Sequence, residues 1–320
     1  GYSGQWRNCR LILMKAFDMH DDMGTNLYHR FLNGEKDVFK KYHLDDLKKG
    51  EVEGVFCACF FRGDESYADM QKMILHANEV LDTEETTVKV TKKEDLDISN
   101  KIHAVISVEG MCGIGENVEE EIDWLYEHNV KVASLVWNES NQLADGWPNN
   151  PLRGLSDKGI KAVEKLNEHN IIIDVSHINE AGFWDIVRLS DKPVIATHSN
   201  ARSLCNHQRN LTDQQIRAIA LKGGLIGLNA ARHFISEDED SCNAATLAKH
   251  GRYIADLVGV EHLAFGFDYM NFLGGYGADS MADDLKSADD TQNLVKALKT
   301  ENFSDEEIEM IAYGNVENLL

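Results

Sequence analysis

The sequence predicts a single closed parallel (β/α)8 barrel. Eight short β-rich runs alternate with helix-period segments, most connections are short, and several runs end in a side chain that binds hard metal ions. Parallel barrels gather residues distant in sequence at the carboxyl ends of their strands. Such endings therefore mark a site as well as a fold.

The runs fall at 15–20, 52–61, 103–109, 130–137, 171–177, 193–198, 225–230 and 262–268. Between them, stretches at 66–81, 118–128, 156–169, 180–189, 212–222 and 246–258 repeat apolar residues at three- and four-residue spacing, as amphipathic helices do. Ser156 and Thr212 stand where N-caps belong, and Gly223-Gly224 ends the helix before the seventh run. Additional β structure is expected around 86–91. Segments 232–245 and 269–287 are too long for ordinary barrel loops; both follow strands, which sets them over the active-site face as lids. An open doubly wound sheet is the rival architecture, but no Gly-x-Gly-x-x-Gly turn follows an early strand. With no linker, repeat or low-complexity tract, 14–320 reads as one domain. Residues 1–13 precede a natural strand start at Met14-Lys15-Ala16-Phe17 and read as a non-native or disordered leader.

Composition limits the function. The 54 acidic residues against 32 basic give a formal charge of −22, which disfavours nucleic acid and anionic membrane surfaces as partners. No run approaches eighteen consecutive apolar residues, so no transmembrane helix is expected. Six cysteines are scattered without zinc-finger spacing, and buried reduced thiols in the cytoplasm are the simplest reading.

The chemistry lies at the run ends. His20 and Asp22 are two apart, so in a strand both side chains project to one side, as two ligands of one metal require. The third run ends in Glu109, the fifth in His177 and the sixth in His198. Each alone reads as an ordinary hydrogen-bonded strand-end residue. Jointly they offer nitrogen and oxygen ligands for two divalent ions, with the Glu109 carboxylate as the natural bridge. Asp268, ending the eighth run, is placed to accept a proton and return it to a leaving amine.

His20-Asp21-Asp22, Ser107-Val108-Glu109-Gly110, Asp174-Val175-Ser176-His177, Thr197-His198-Ser199-Asn200-Ala201, His207-Gln208-Arg209-Asn210 and Gly266-Phe267-Asp268 resemble, in order, the membrane dipeptidase (renal dipeptidase) family of the amidohydrolase superfamily. The resemblance runs from Phe17 to Gly314-Asn315-Val316. It implies a (β/α)8 barrel with two zinc ions per chain, one held by His20, Asp22 and the bridging Glu109, the other by Glu109, His177 and His198. It further implies peptide-bond hydrolysis in dipeptides by a metal-bridging hydroxide, with Asp268 as proton shuttle, and it suggests a homodimer. Arg209 matches the arginine that holds the free carboxylate of the dipeptide, a role suited to a guanidinium fork; without the motif it would read as a solvated surface charge.

Three positions depart from the family pattern. Trp137 stands where the family has a histidine that binds the scissile carbonyl, and an indole donates one hydrogen bond but neither titrates nor ligates. Met270 replaces a second aspartate and Gln208 a proline. None removes a metal ligand. They leave open a related activity on N-acyl amino acids, β-lactams or lactones, and a catalytically silent binding protein.

Overall fold

The computed structural model describes residues 13–320. The expected leader, 1–13, lies apart from Leu13 outside the described residues.

Nine strands are present among the described residues: β1 Ala16–Asp21, β2 Val52–Phe60, β3 Thr87–Lys89, β4 Ile102–Glu109, β5 Val130–Ser134, β6 Ile172–Asp174, β7 Val194–Ile195, β8 Ile226–Leu228 and β9 Leu263–Phe265. All pairings between them are parallel, and the order is β7-β6-β5-β4-β2-β1-β9-β8 with β3 added at the start of β4. Closure comes at the β7–β8 seam. There Ala196 bridges Ile226 in parallel, and the Ser199 amide donates to the Gly227 carbonyl at 2.9 Å. The eight-stranded barrel is therefore as expected, and β3 accounts for the β structure around 86–91.

Nearly every barrel strand sends an apolar side chain inward. Phe17, Met19, Phe56, Val105, Val132, Ile195, Leu225 and Ala264 form one buried cluster, with Ile172 packed on it. The interior is thus a packed core, as barrels of this size require. Gly54 makes room for it, since a Cβ there would lie 2.4 Å from the Phe17 ring. A second, larger cluster fills the space between barrel and helices.

The helices begin where their caps stand. Ser156 Oγ accepts from the Gly159 amide at the head of Asp157–Glu168, and Thr212 forms a capping box with Gln215 ahead of Asp213–Leu221. Gly223, at φ +74°, turns the chain out of the latter helix. Helix Met23–Leu32 escaped the apolar-periodicity reading because Thr25 and Asn26 occupy its buried face beside Met23, Gly24 and Leu27. Among the described residues, no helix is long and apolar enough to cross a membrane.

Four strands stop three residues short of the expected runs. The ladder ends at Ser134, Asp174, Ile195 and Phe265 instead of 137, 177, 198 and 268. Past three of these points, buried carboxylates take over the backbone amides. Asp174 Oδ1 accepts from Ser176 and Thr197, both at 3.0 Å, and Asp18 Oδ1 accepts from Phe267 at 2.9 Å. Residues beyond the ladder are freed to take other conformations, and His177 (φ +75°) and Asp268 (φ +60°) are both left-handed. That region is costly for residues other than glycine and concentrates at functional sites.

Candidate metal centre and active site

The carboxyl ends of the strands bring His20, Asp22, Glu109, His177, His198 and Asp268 into one cluster, buried except for partly exposed His177 and Asp268. Its atoms divide into triads whose members lie within 4.8 Å of one another: His20, Asp22 and Glu109; Glu109, His177 and His198; and His20, His198 and Asp268. Glu109 belongs to two of them, and its oxygens face different ways. Oε1 lies 3.4 Å from His20 Nε2, while Oε2 lies 3.0 Å from His177 Nε2 and 3.2 Å from His198 Nε2. One carboxylate thus spans two groups of donors.

The second surroundings fix which imidazole nitrogens face inward. His177 Nδ1 is held by Asn138 Oδ1 at 2.8 Å, leaving Nε2 as the free lone pair. His198 Nδ1 meets Thr197 Oγ1 at 2.7 Å, and that hydroxyl donates onward to Asp174 Oδ2 at 2.6 Å, so His198 also presents a bare Nε2. The two Nε2 atoms are 3.1 Å apart, and both face an acceptor-only carboxylate oxygen. Lone pairs so gathered repel unless something positive lies between them. His20 Nε2 and Asp22 Oδ1, both buried, likewise have no hydrogen-bond partner. The residues therefore fit divalent cations, and the mix of imidazole nitrogen and carboxylate oxygen suits zinc.

Charge tells the same story. Burial lowers the affinity of His177 for a proton, to a pKa of about 4, with help from the nearby Arg209 charge; burial and the His20 charge likewise push His198 down. Both imidazoles stay neutral near neutral pH, as ligands must. Burial works against a charged His20 too, yet the Glu109 and Asp22 carboxylates outweigh it and push His20 well above the usual imidazole range. Carboxylates gathered this closely demand positive charge. Burial, reinforced by Asp22 and Glu109, also pushes Asp268 well above the usual carboxylate range, with His20 and Arg209 opposing.

Arg209 is 4 % exposed, which excludes a solvated surface charge. Its Nη1 donates to Ser199 Oγ at 3.0 Å and its Nη2 to the His198 carbonyl at 2.9 Å, tying the guanidinium to the strand end that carries His198. Trp137 is half-buried, edge-on to Phe60 at 4.9 Å and 6.2 Å from the His177 ring. It walls the cluster as an aromatic surface. Segments 232–245 and 269–287 are built of 3-10 turns rather than long helices.

A sequence profile describing the membrane dipeptidase family, peptidase family M19, matches residues 11–319. The chain belongs to that family. It is a metallopeptidase, and membership of the family implies a metal cofactor. An uncharacterized Klebsiella pneumoniae protein encoded in the pqqA 5′ region is 30% identical over 227 residues, 68% of this chain and 80% of its own. Dipeptidase aclJ of Aspergillus oryzae is 27% identical over 223 residues, 69% of this chain and 51% of its own. In fold, the chain resembles a metallo peptidase of Rhodobacter sphaeroides, solved with a phosphinate mimic of the dipeptide L-Ala-D-Ala. The TM-score is 0.84 at 22% identity, over 96% of this chain and 99% of that one.

Sequence reasoning assigned no role to Asn138, Thr197, Asp174 or Ser199. Thr197 and Asp174 carried a signal, adjacent to His198 and three residues before His177 in runs already singled out. Asn138 carried none, because it meets His177 across 39 residues of chain.

Proposed function

We propose that this metallopeptidase is a binuclear zinc dipeptidase, with residues 14–320 as its catalytic unit. The observation that carries the reading is the Glu109 carboxylate shared between two groups of inward-facing donors, beside a buried guanidinium. His20 and Asp22 would hold one ion, His177 and His198 the other, and Glu109 both. A zinc pair supplies Lewis acidity for the scissile carbonyl and makes a water acidic enough to give up its proton near neutral pH.

The protein's own groups do the rest. Asp268 takes the water's proton and returns it to the leaving amine, and its raised proton affinity suits the second half of that task. Arg209 holds the free carboxylate of the substrate, which limits the substrate to two residues because a longer peptide has no carboxylate at that point. Trp137 packs against the substrate beside His177 and offers the carbonyl at most one hydrogen bond. The dipeptidase name of the Aspergillus oryzae aclJ protein and the dipeptide mimic bound in the Rhodobacter sphaeroides structure support the same class. Zinc as the resident ion, a homodimer and a cytoplasmic location belong to this proposal.

The test is a dipeptide and tripeptide panel assayed with and without chelator, alongside metal analysis. Dipeptide turnover that a chelator abolishes, with about two zinc equivalents per chain and little tripeptide cleavage, is expected. Turnover that survives complete metal removal, or equal cleavage of tripeptides, ends the reading.

A further inference from the structure

Beside the metal cluster lies a cavity of about 70 Å3, lined among others by Trp147, His177, Ser199, Gln208 and Arg209. It has room for a few waters or one small polar group. Two of its lining side chains carry buried donors with no acceptor: the Trp147 indole Nε1 and Arg209 Nε. Buried polar groups in folded proteins are nearly always paired, so two orphans on one cavity call for an explanation.

Neither donor is loosely placed. The Trp147 amide donates to the His177 carbonyl at 2.8 Å, and Gly146 bridges Ile178, so the tryptophan backbone is locked to the strand end that carries His177. Its ring packs edge-on against His207 at 5.2 Å. His207 in turn packs against Phe234 at 4.8 Å, and the Arg209 guanidinium lies 5.4 Å over Phe234. His207 Nδ1 also accepts the Arg209 amide at 3.0 Å. Trp147, His207, Phe234 and Arg209 thus form one packed assembly. Arg202 and an exposed Glu180 line the same cavity with opposite charges.

Of the five guanidinium N–H groups of Arg209, one goes to Ser199 and one to the His198 carbonyl, which leaves Nε–H and two others. An acceptor-only group is what these donors lack, and a carboxylate is the acceptor-only group that a peptide end provides. We propose that Trp147 is a specificity-determining residue whose indole N–H, together with Arg209 Nε, binds the terminal carboxylate of the substrate. This rests on the dipeptidase reading for the identity of the ligand. It adds a neutral, rigid donor to a cavity whose lining cations are Arg209 and Arg202.

The experiment is calorimetric binding to the zinc-loaded full chain of a phosphinate dipeptide analogue. One form ends in a free carboxylate, the other in a carboxamide, and wild type is compared with Trp147→Phe, which keeps the ring and deletes the donor. Expected is a roughly 10-fold rise in Kd for the carboxylate form, about 1.4 kcal/mol, an unchanged Kd for the carboxamide, and a Tm no lower than wild type. The proposal falls if the carboxylate Kd is unchanged, if both analogues weaken equally, or if wild type binds neither. Failure of wild type to hydrolyse any dipeptide sinks the dipeptidase reading instead, and leaves the binding comparison standing.

Discussion

At the scale of single residues, the site depends on which atoms are left unpaired. His177 and His198 reach the cluster with Nδ1 engaged and Nε2 bare, and Asp268 sits at φ +60° under the pull of burial. If Asp268 moves the proton, Asp268→Asn removes the step and leaves the other five donors in place. Hydrolysis should fall about 100-fold or more, within the span of general acid–base effects, while metal content stays near wild type. Wild-type turnover in that variant excludes the role. The convergence of these six residues was legible because each closes a β-rich run or, like Asp22, lies two residues beyond one, and barrels focus such ends. Arg209 was legible only through the family pattern, since nothing in its neighbours along the chain announces burial. Asn138 and Trp147 were not legible at all, because their partners are fixed by tertiary contact.

At the scale of elements, helix Met23–Leu32 ties the strand end that carries Asp22 to segment 269–287. Asn26 Nδ2 and Arg30 Nη2 both donate to the Phe272 carbonyl, at 3.1 and 2.7 Å, fastening the first turn of segment 269–287 to the helix that follows β1. Arg30→Met keeps a long stem against the Tyr42 ring but loses that donor and the ion pair to Glu35. A partly exposed pair contributes about 1 kcal/mol at most, so Tm should barely move. KM for dipeptides should rise several-fold, and limited proteolysis within 271–280 should accelerate. Unchanged KM and unchanged cleavage would show that the anchor is ornamental. The two covering segments were visible in the sequence as excess length, but their internal turns were not, because 3-10 pieces carry no sustained periodicity. Strand ends were overestimated for a related reason: apolar residues such as Val175, Ala196 and Phe267 continue past the last ladder pair, where Asp174 and Asp18 intercept the amides.

At the scale of the whole molecule, acid should destabilise the fold partly through one histidine remote from the metal cluster. Burial pushes His43 down to a pKa of about 3 from 6.5, and the neutral ring bonds Asn26 Oδ1 at 2.8 Å and packs edge-on against Phe272. The unfolded chain takes up a proton near 6.5 that the folded chain refuses until about pH 3, so this stabilisation is present above 6.5 and is lost as pH falls. Between pH 7 and 5 the loss from this group is about 2 kcal/mol. Urea unfolding in chelator should show that drop in wild type and a correspondingly flatter profile in His43→Gln; parallel profiles would remove His43 from the account. The barrel seam has a different consequence. A Cβ on Gly227 or Gly266 would fall 2.0 or 1.7 Å from the Thr197 carbonyl oxygen, so β8, which neighbours β7 across the seam, and the end of β9 beyond it both approach the His198 end with no room for a methyl group. Two positions with no functional group of their own are therefore expected to decide whether the His198 end can help hold an ion. A saturation library sorted on zinc retention should lose nearly every substitution at both, as completely as at the donors themselves.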